Sequence, residues 1–173
     1  MKELLKKQYS LLSEFSDISW QEISDEFQEA YSPKDDSEAL IQFPMYLQEK
    51  AEEGDCPEYL FELAYYLLAQ SEVMNSEFLL SKTKGLHLNP TASFLRLEFD
   101  VPKMISDKEI SEKDHVLCIA KTSSGTLICQ ELNSKELEIL SFFENGPIQG
   151  VTPEYQHILE NLLQKDLIIS ILN

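Results

Sequence analysis

The stretch HVLCIAKTSSGTLICQEL, residues 115–132, decides the fold of the second half of the chain. Two runs rich in β-branched and apolar residues, 115–121 and 126–132, lie on either side of Thr-Ser-Ser-Gly. Residues of this kind favour strands, and a short polar segment with Gly between two such runs is typical of a hairpin. The stretch therefore predicts an antiparallel β-hairpin.

The segments around this hairpin predict further strands and short helices. Residues 93–101 alternate apolar and polar side chains, as a half-buried strand does. Pro102 ends that pattern, and the polar residues 103–114 predict a loop. After the hairpin, Asn133 with Glu136 three residues later is a helix-capping motif. A helix from Thr152-Pro153 and a final strand over residues 167–172 complete this half.

Helices alone are predicted for the first half of the chain. Apolar residues there recur at spacings of three and four, as they do on one face of a helix. The third of these helices, over residues 37–53, contains Pro44, which predicts an interruption or a restart because proline lacks the N–H that a helix interior needs. The four predicted helices begin near Leu4, Ser19, residue 37 and Asp55.

These elements predict an α+β protein in two parts. A helical domain is expected over residues 1–87, followed by a small winged-helix-like domain with an antiparallel sheet over residues 88–173. A chain of 173 residues is long enough for one ordinary domain or for two small ones.

The strongly negative charge of the chain disfavours several classes of partner. There are 31 acidic against 14 basic residues, a net charge of −17, and the longest basic run is Lys6-Lys7. Nucleic acids and anionic membranes attract clustered Lys and Arg, so neither is an expected partner. No stretch is apolar enough to span a membrane, and Glu3 and Gln8 break a signal-peptide core, which together predict a cytoplasmic protein.

The cysteines leave two interpretations open. If the hairpin closes symmetrically over residues 122–125, Cys118 and Cys129 face each other as a redox pair, as a soft metal site, or as two small apolar side chains on a sheet. Cys56, just before a helix, is either a reactive thiol or an ordinary one, and no base is identifiable beside it.

No other pattern predicts chemistry. His87, His115 and His157 are far apart in the sequence and belong to no metal-binding motif. There is no nucleophile elbow and no phosphate-binding glycine loop. We therefore predict a protein that is not an enzyme, with no cofactor and no metal.

Four segments in order resemble the HvfC-like family, whose members are often labelled as DNA-binding domains. Leu88–Leu97 is similar to the family's join into its second domain, and the hairpin and closing helices are similar to its winged-helix-like part. The helical segments that carry the resemblance are Phe27–Tyr31, Gln42–Leu47 and Pro57–Ala64.

The resemblance implies a partner subunit of a multinuclear non-haem iron oxidase that modifies cysteine-containing precursor peptides; the methanobactin-pathway partner MbnC is related. Such a subunit holds the leader of the precursor peptide and supports the oxidase. Similar winged modules bind leaders by adding a strand to a sheet edge. The strands over residues 93–101 and 167–172 are the candidate edges, and the candidate peptide-binding residues are Phe94, Leu95, Arg96 and Leu97.

The aromatic residues of the helical half give a candidate docking surface for the oxidase. Aromatic side chains concentrate binding energy at interfaces, although most aromatics at helical spacing belong to a core. The candidates are Phe43, Met45, Tyr46 and Tyr65. The alternative function is a winged-helix DNA-binding transcription regulator, which the single Lys against three Glu in residues 134–144 disfavours.

Overall fold

The computed structural model of the chain describes residues 1–171 and mixes helices with sheets, which confirms the predicted α+β class. The chain divides into two compact units. The first contains residues 1–69 and 97–114, and the second contains residues 70–96 and the chain from residue 115 onwards. The predicted boundary between residues 87 and 88 lies inside the second unit. Because compactness does not test independent folding, the two-domain division stays a prediction.

The helices of the described chain include all those predicted for the first half, each close to its expected start. The first is followed by a short 3-10 helix, Ser10–Glu14. Ser19 caps the second, since its hydroxyl accepts a hydrogen bond from the Glu22 N–H. The helices are α1 Lys2–Gln8, α2 Trp20–Tyr31, α3 Asp36–Glu52, α4 Glu58–Asn75, α5 Val101–Asp107, α6 Ser134–Ser141 and α7 Gln156–Gln164.

The prediction that Pro44 interrupts α3 is wrong, because the helix continues through it. Proline has no N–H, so the carbonyl of Leu40, four residues earlier, loses its helical donor. The hydroxyl of Tyr9 donates a hydrogen bond to that carbonyl instead. A side chain 31 residues away thus supplies the bond that the helix cannot make itself.

The core of the first unit is aromatic. Phe43 is fully buried and its ring lies 5.0 Å from Tyr9 and 5.4 Å from Phe27, measured between ring centroids. Trp20 and Tyr46 contact the same ring at 6.2 Å each. Offset and edge-on packing at these distances is the favoured geometry for aromatic pairs, so this cluster joins α1, α2 and α3.

Two small sheets contain the five strands of the described chain. One has the strand order β2-β3-β4, and the other pairs β1 with β5. The predicted hairpin is confirmed as the antiparallel pair β3 and β4. The strands are β1 Gly85–Leu88, β2 Ser93–Phe99, β3 Glu112–Lys121, β4 Leu127–Leu132 and β5 Ile168–Ile171.

The stretch after β2 differs from its prediction. Asp100 is a helix cap rather than a strand residue, because its carboxylate accepts a hydrogen bond from the Lys103 N–H at 3.2 Å. Pro102 then falls in the first turn of α5, where its missing N–H costs nothing. The predicted loop over residues 103–114 is therefore wrong: it holds most of α5 and the start of β3.

The hairpin register separates the two cysteines that a symmetric turn would bring together. Lys121 pairs with Leu127, so five residues rather than four lie between the strands. Cys118 consequently pairs with Gln130, and Cys129 pairs with Ile119. A shift of one residue sends side chains to opposite faces of a sheet, and Cys118 is buried whereas Cys129 is exposed. The predicted direct opposition of Cys118 and Cys129 is wrong.

The sheet of β1 and β5 contains the one strand that the sequence pattern missed. β5 agrees with the predicted final strand, of which Leu172 lies outside the described residues. β1 was not predicted. β1 pairs with β5 from Gly85 opposite Ile171 to Leu88 opposite Ile168. Gly85 has φ near +129°, and a Cβ there would lie 2.8 Å from the Ile148 carbonyl oxygen, so only glycine fits.

A buried asparagine, Asn89, joins three segments of the second unit through hydrogen bonds. The Asn89 amide donates to the carbonyls of Lys121 at 3.0 Å and Asp166 at 2.7 Å. Its oxygen accepts from the N–H and the hydroxyl of Thr91, at 2.9 and 2.8 Å. All four hydrogen-bonding positions of the amide are therefore filled, which fixes β1, β3 and β5 at one point. The core includes Cys118, Ala120, Leu132, Ile139, Leu140, Leu159, Leu162 and Leu167.

Candidate functional sites

The predicted peptide-binding residues lie on β2, at one edge of the three-stranded sheet. Their side chains alternate: Phe94 and Arg96 are exposed, Leu95 is half-buried and Leu97 is buried. Among the described residues no strand pairs with the outer side of β2. The strand therefore offers a backbone edge together with alternate side chains.

Glu62 covers the end of this strand. Its buried carboxylate, on α4, accepts hydrogen bonds from the N–H groups of Glu98 at 2.8 Å and Phe99 at 2.9 Å. These two donors are satisfied within the first unit, which leaves residues 93–97 as the part of β2 available to a partner. Sequence reasoning missed Glu62, although a lone carboxylate between buried Leu60 and Leu63 was a usable signal.

The four predicted docking residues are not on one surface. Phe43 and Tyr46 are core residues with at most 3% exposure. Met45 is 45% exposed, and Tyr65 is half-buried with its hydroxyl donating to the Gln48 side chain at 3.3 Å. Of the four residues, Met45 and part of Tyr65 are therefore accessible to a partner, whereas Phe43 and Tyr46 pack in the core.

A cleft of about 370 Å³ lies beside Tyr46 in the first unit. The Tyr46 hydroxyl donates to Glu26 at 2.9 Å, and Lys50 contacts Asp55 at 3.0 Å and Glu26 at 3.9 Å. Burial, and then the Glu26 carboxylate, raise the pKa of Tyr46. The polar groups of the cleft are thus largely engaged with one another.

Two of the three thiols, those of Cys56 and Cys118, are poorly suited to nucleophilic chemistry. The Cys56 thiol donates to the Leu47 carbonyl at 3.4 Å, and burial followed by the neighbouring Asp55 raises its pKa. Burial raises the pKa of Cys118 to about 12. Because their pKa values are raised, both thiols are protonated at neutral pH. The thiolate is the form that reacts as a nucleophile. This favours the interpretation of Cys118 as a small apolar core side chain.

A second, smaller groove lies on the sheet of β1 and β5. It has a volume of about 90 Å³ and is lined mainly by aliphatic side chains and by His87. Leu79 and Leu80 form one wall and are 68% and 55% exposed. Ile169 and Ile171 on β5 line it as well.

Two further features are absent from the described chain, a cluster of metal-ligating side chains and a helix that could span a membrane. Within residues 1–171, no three His, Cys, Asp or Glu side chains converge as a metal site would require. The helices there are also too short or too polar for one of them to cross a bilayer.

The comparisons with known proteins add no family. No protein-family model matches the chain, and no curated protein is significantly similar to it. The fold and the site define a mixed helix and sheet protein with an accessible strand at the edge of one sheet. The resemblance to the HvfC-like family stays a prediction.

Proposed function

We propose that this chain is a non-catalytic accessory subunit in the maturation of a ribosomally made precursor peptide. It binds the leader of that peptide along β2 and docks on a multinuclear non-haem iron oxidase, which carries out the chemistry in the cytoplasm. The observation that carries the proposal is the exposed edge of β2, where Phe94 and Arg96 alternate with inward Leu95 and Leu97.

The geometry of β2 supports peptide binding by strand addition. Backbone N–H and C=O groups at a sheet edge pair with an extended peptide, and the side chains on the strand read alternate residues of that peptide. Phe94, which is exposed, offers apolar contact area to a side chain of the leader. The Glu62 carboxylate limits the binding strand to residues 93–97. Since alternate residues of a strand direct their backbone groups to the same side, about two or three of these five can pair with the peptide.

The winged-helix-like character of the second unit is part of the same proposal. The hairpin of β3 and β4 packs against α6 and α7 in one apolar core, to which Cys118, Ile139 and Leu162 contribute. Two short helices against a hairpin are the arrangement that winged modules share. β5 follows α7 and pairs with β1 rather than with the hairpin.

The test is co-expression of the full chain with an iron oxidase and a precursor peptide encoded beside its gene. We expect the tagged chain to co-purify with one equivalent of the oxidase, which carries its iron, and with the precursor. Phe94→Asp removes the peptide and leaves the oxidase bound. Met45→Asp weakens the binding of the oxidase and leaves the peptide bound.

Two matched variants control for a general effect of an added charge. Phe142 is as exposed as Phe94, at 41%, and Met74 at 47% matches Met45. Phe142→Asp and Met74→Asp should leave both partners bound. The proposal fails if the chain never co-purifies with an oxidase, or if Phe94→Asp and Phe142→Asp retain the same amount of precursor.

A further inference from the structure

We propose that the groove on the sheet of β1 and β5 is a second binding site, which takes an extended acidic and apolar peptide segment. The site is distinct from β2 and does not rest on the proposed function. Three observations carry it: an apolar groove, a backbone edge on β5, and lysines beside the groove.

The groove presents apolar surface of the right size for one aliphatic side chain. Leu79 and Leu80 are the two most exposed large apolar side chains of the described chain. Together with Ile169 and Ile171 they line a volume of about 90 Å³. Cavities of roughly 150 Å³ hold a benzene ring, so this smaller groove suits a Val or Leu side chain better than an aromatic one.

The outer side of β5 has backbone groups directed away from its partner. The Leu86 N–H donates to Ile148 at 2.8 Å and its carbonyl accepts from Ile148 at 3.0 Å, on the side of β1 that faces away from β5. Leu86 is therefore in a non-hydrogen-bonded pair with Ser170. The N–H and C=O of Ser170 point outward in turn, and Ser170 is exposed.

β1 cannot accept a peptide in the same way. Its outer side at Leu86 is already bridged to Ile148. In the part of the chain that the structure describes, no backbone group pairs with the outer side of β5. An incoming strand would therefore add to β5, and its alternate side chains would enter the groove beside Ile169 and Ile171.

The segment that lines one part of this groove has a charge opposite to that of the chain. Residues 79–90 carry two lysines and no acidic residue, whereas the whole chain has a net charge of −17. Lys82 and Lys84 are exposed, and neither side chain makes an ion pair with another described residue. Lys82 follows Ser81, which lines the groove, and Lys84 precedes Gly85, which pairs with Ile171. Acidic residues flanking the apolar one would complement these lysines.

The test uses the purified full chain and a dye-labelled ten-residue peptide in which Val and Glu alternate, followed by fluorescence anisotropy at low ionic strength. We expect saturable binding, and a peptide alternating Val and Lys should not bind. The double variant Lys82→Glu/Lys84→Glu should weaken binding about tenfold, because two attractive charges become repulsive. Rising salt should weaken binding as well.

Matched variants separate this site from other surfaces. Lys6→Glu/Lys7→Glu makes the same charge change at two exposed lysines of α1 and should leave the affinity unchanged. Phe94→Asp should also leave it unchanged, because that residue is on β2. The backbone N–H of Ser170 should exchange more slowly with solvent deuterium when the Val and Glu peptide is bound.

Several results would overturn the inference. They are a lack of binding by the unmodified chain, equal binding of the Val and Lys peptide, and equal losses for the two lysine double variants. Loss of binding through Phe94→Asp would assign the peptide to β2 instead. Since no oxidase is present, failure here leaves the co-purification experiment on the proposed function unaffected.

Discussion

At the scale of single residues, the Leu40 carbonyl shows how a helix tolerates a proline. Pro44 cannot donate to it, and the Tyr9 hydroxyl does so. An unsatisfied buried carbonyl costs about 1–3 kcal/mol, so Tyr9→Phe should lower the free energy of unfolding by that amount. In a Pro44→Ala background the helix regains its own N–H donor, and Tyr9→Phe should then cost less. Urea unfolding of the four proteins in this cycle measures the coupling, which we expect to exceed about 0.5 kcal/mol.

This cycle has a clear contradictory outcome. If Tyr9→Phe costs the same free energy with proline or alanine at position 44, the hydroxyl is not replacing the helical donor. The packing cost of the Pro44→Ala change cancels in the cycle, because that cost is the same with tyrosine and with phenylalanine at position 9.

The Asn89 side chain makes four hydrogen bonds in the second unit. Asn89→Ala leaves the carbonyls of Lys121 and Asp166 without their amide donors. We expect a loss of about 3 kcal/mol in the free energy of unfolding, since more than one buried group loses its partner. Asn75→Ala, at an exposed position near the end of α4, is the control and should change stability by less than about 0.5 kcal/mol. Similar losses for the two variants would contradict the role of Asn89.

At the scale of elements, the end of β2 depends on a carboxylate from α4. Glu62→Gln retains the size of the side chain, but an amide offers only one oxygen to the two N–H groups of Glu98 and Phe99. We expect a loss of about 1–2 kcal/mol in the free energy of unfolding and faster hydrogen exchange at those two amides. Glu58→Gln, one turn earlier and exposed, should leave both unchanged. Unaltered exchange in Glu62→Gln would show that the strand end is held by other contacts.

Elements that are specified by local sequence were predictable, and those that depend on distant partners were not. Ser19 and Asn133 allowed the starts of α2 and α6 to be predicted, because a capping side chain accepts a hydrogen bond from an N–H only three residues later. The continuity of α3 was not predictable, because it depends on Tyr9. β1 was missed because four residues carry too little periodicity without β5 beside them.

The candidate sites also contain features that local sequence specifies and features that depend on distant residues. The alternation along β2 was readable from the sequence, and the exposed positions Phe94 and Arg96 agree with it. Which of the candidate docking residues on α3 face solvent was not readable, because contacts with other helices bury Phe43 and Tyr46 and leave Met45 exposed. The predicted pairing of Cys118 with Cys129 was wrong because the loop contains one residue more than expected. That extra residue changes the face of the sheet on which each later side chain lies.

At the scale of the whole molecule, the resolved shifts among the tyrosines and cysteines all have one direction. Burial and then Glu49 raise the pKa of Tyr31 to about 12, and Glu138 together with burial raises that of Tyr155 to about 12. The pKa values of Tyr46 and Tyr65 are raised as well. In a chain with a net charge of −17, each deprotonation adds another negative charge.

These shifts predict that the protein loses stability at alkaline pH. Below about pH 10, the ordinary value for tyrosine, the folded and unfolded states both keep the proton, so the full stability is present. Between pH 10 and 12 the unfolded chain releases protons that the folded state retains, and the melting temperature should fall steadily. Absorbance at about 295 nm, where tyrosinate absorbs, should show Tyr31 and Tyr155 titrating late in the folded protein. Tyr155→Phe should make the fall shallower, because phenylalanine cannot ionise in either state. A melting temperature that stays constant from pH 10 to 12 would contradict the raised pKa values, and an equal slope with and without Tyr155 would remove that residue from the explanation.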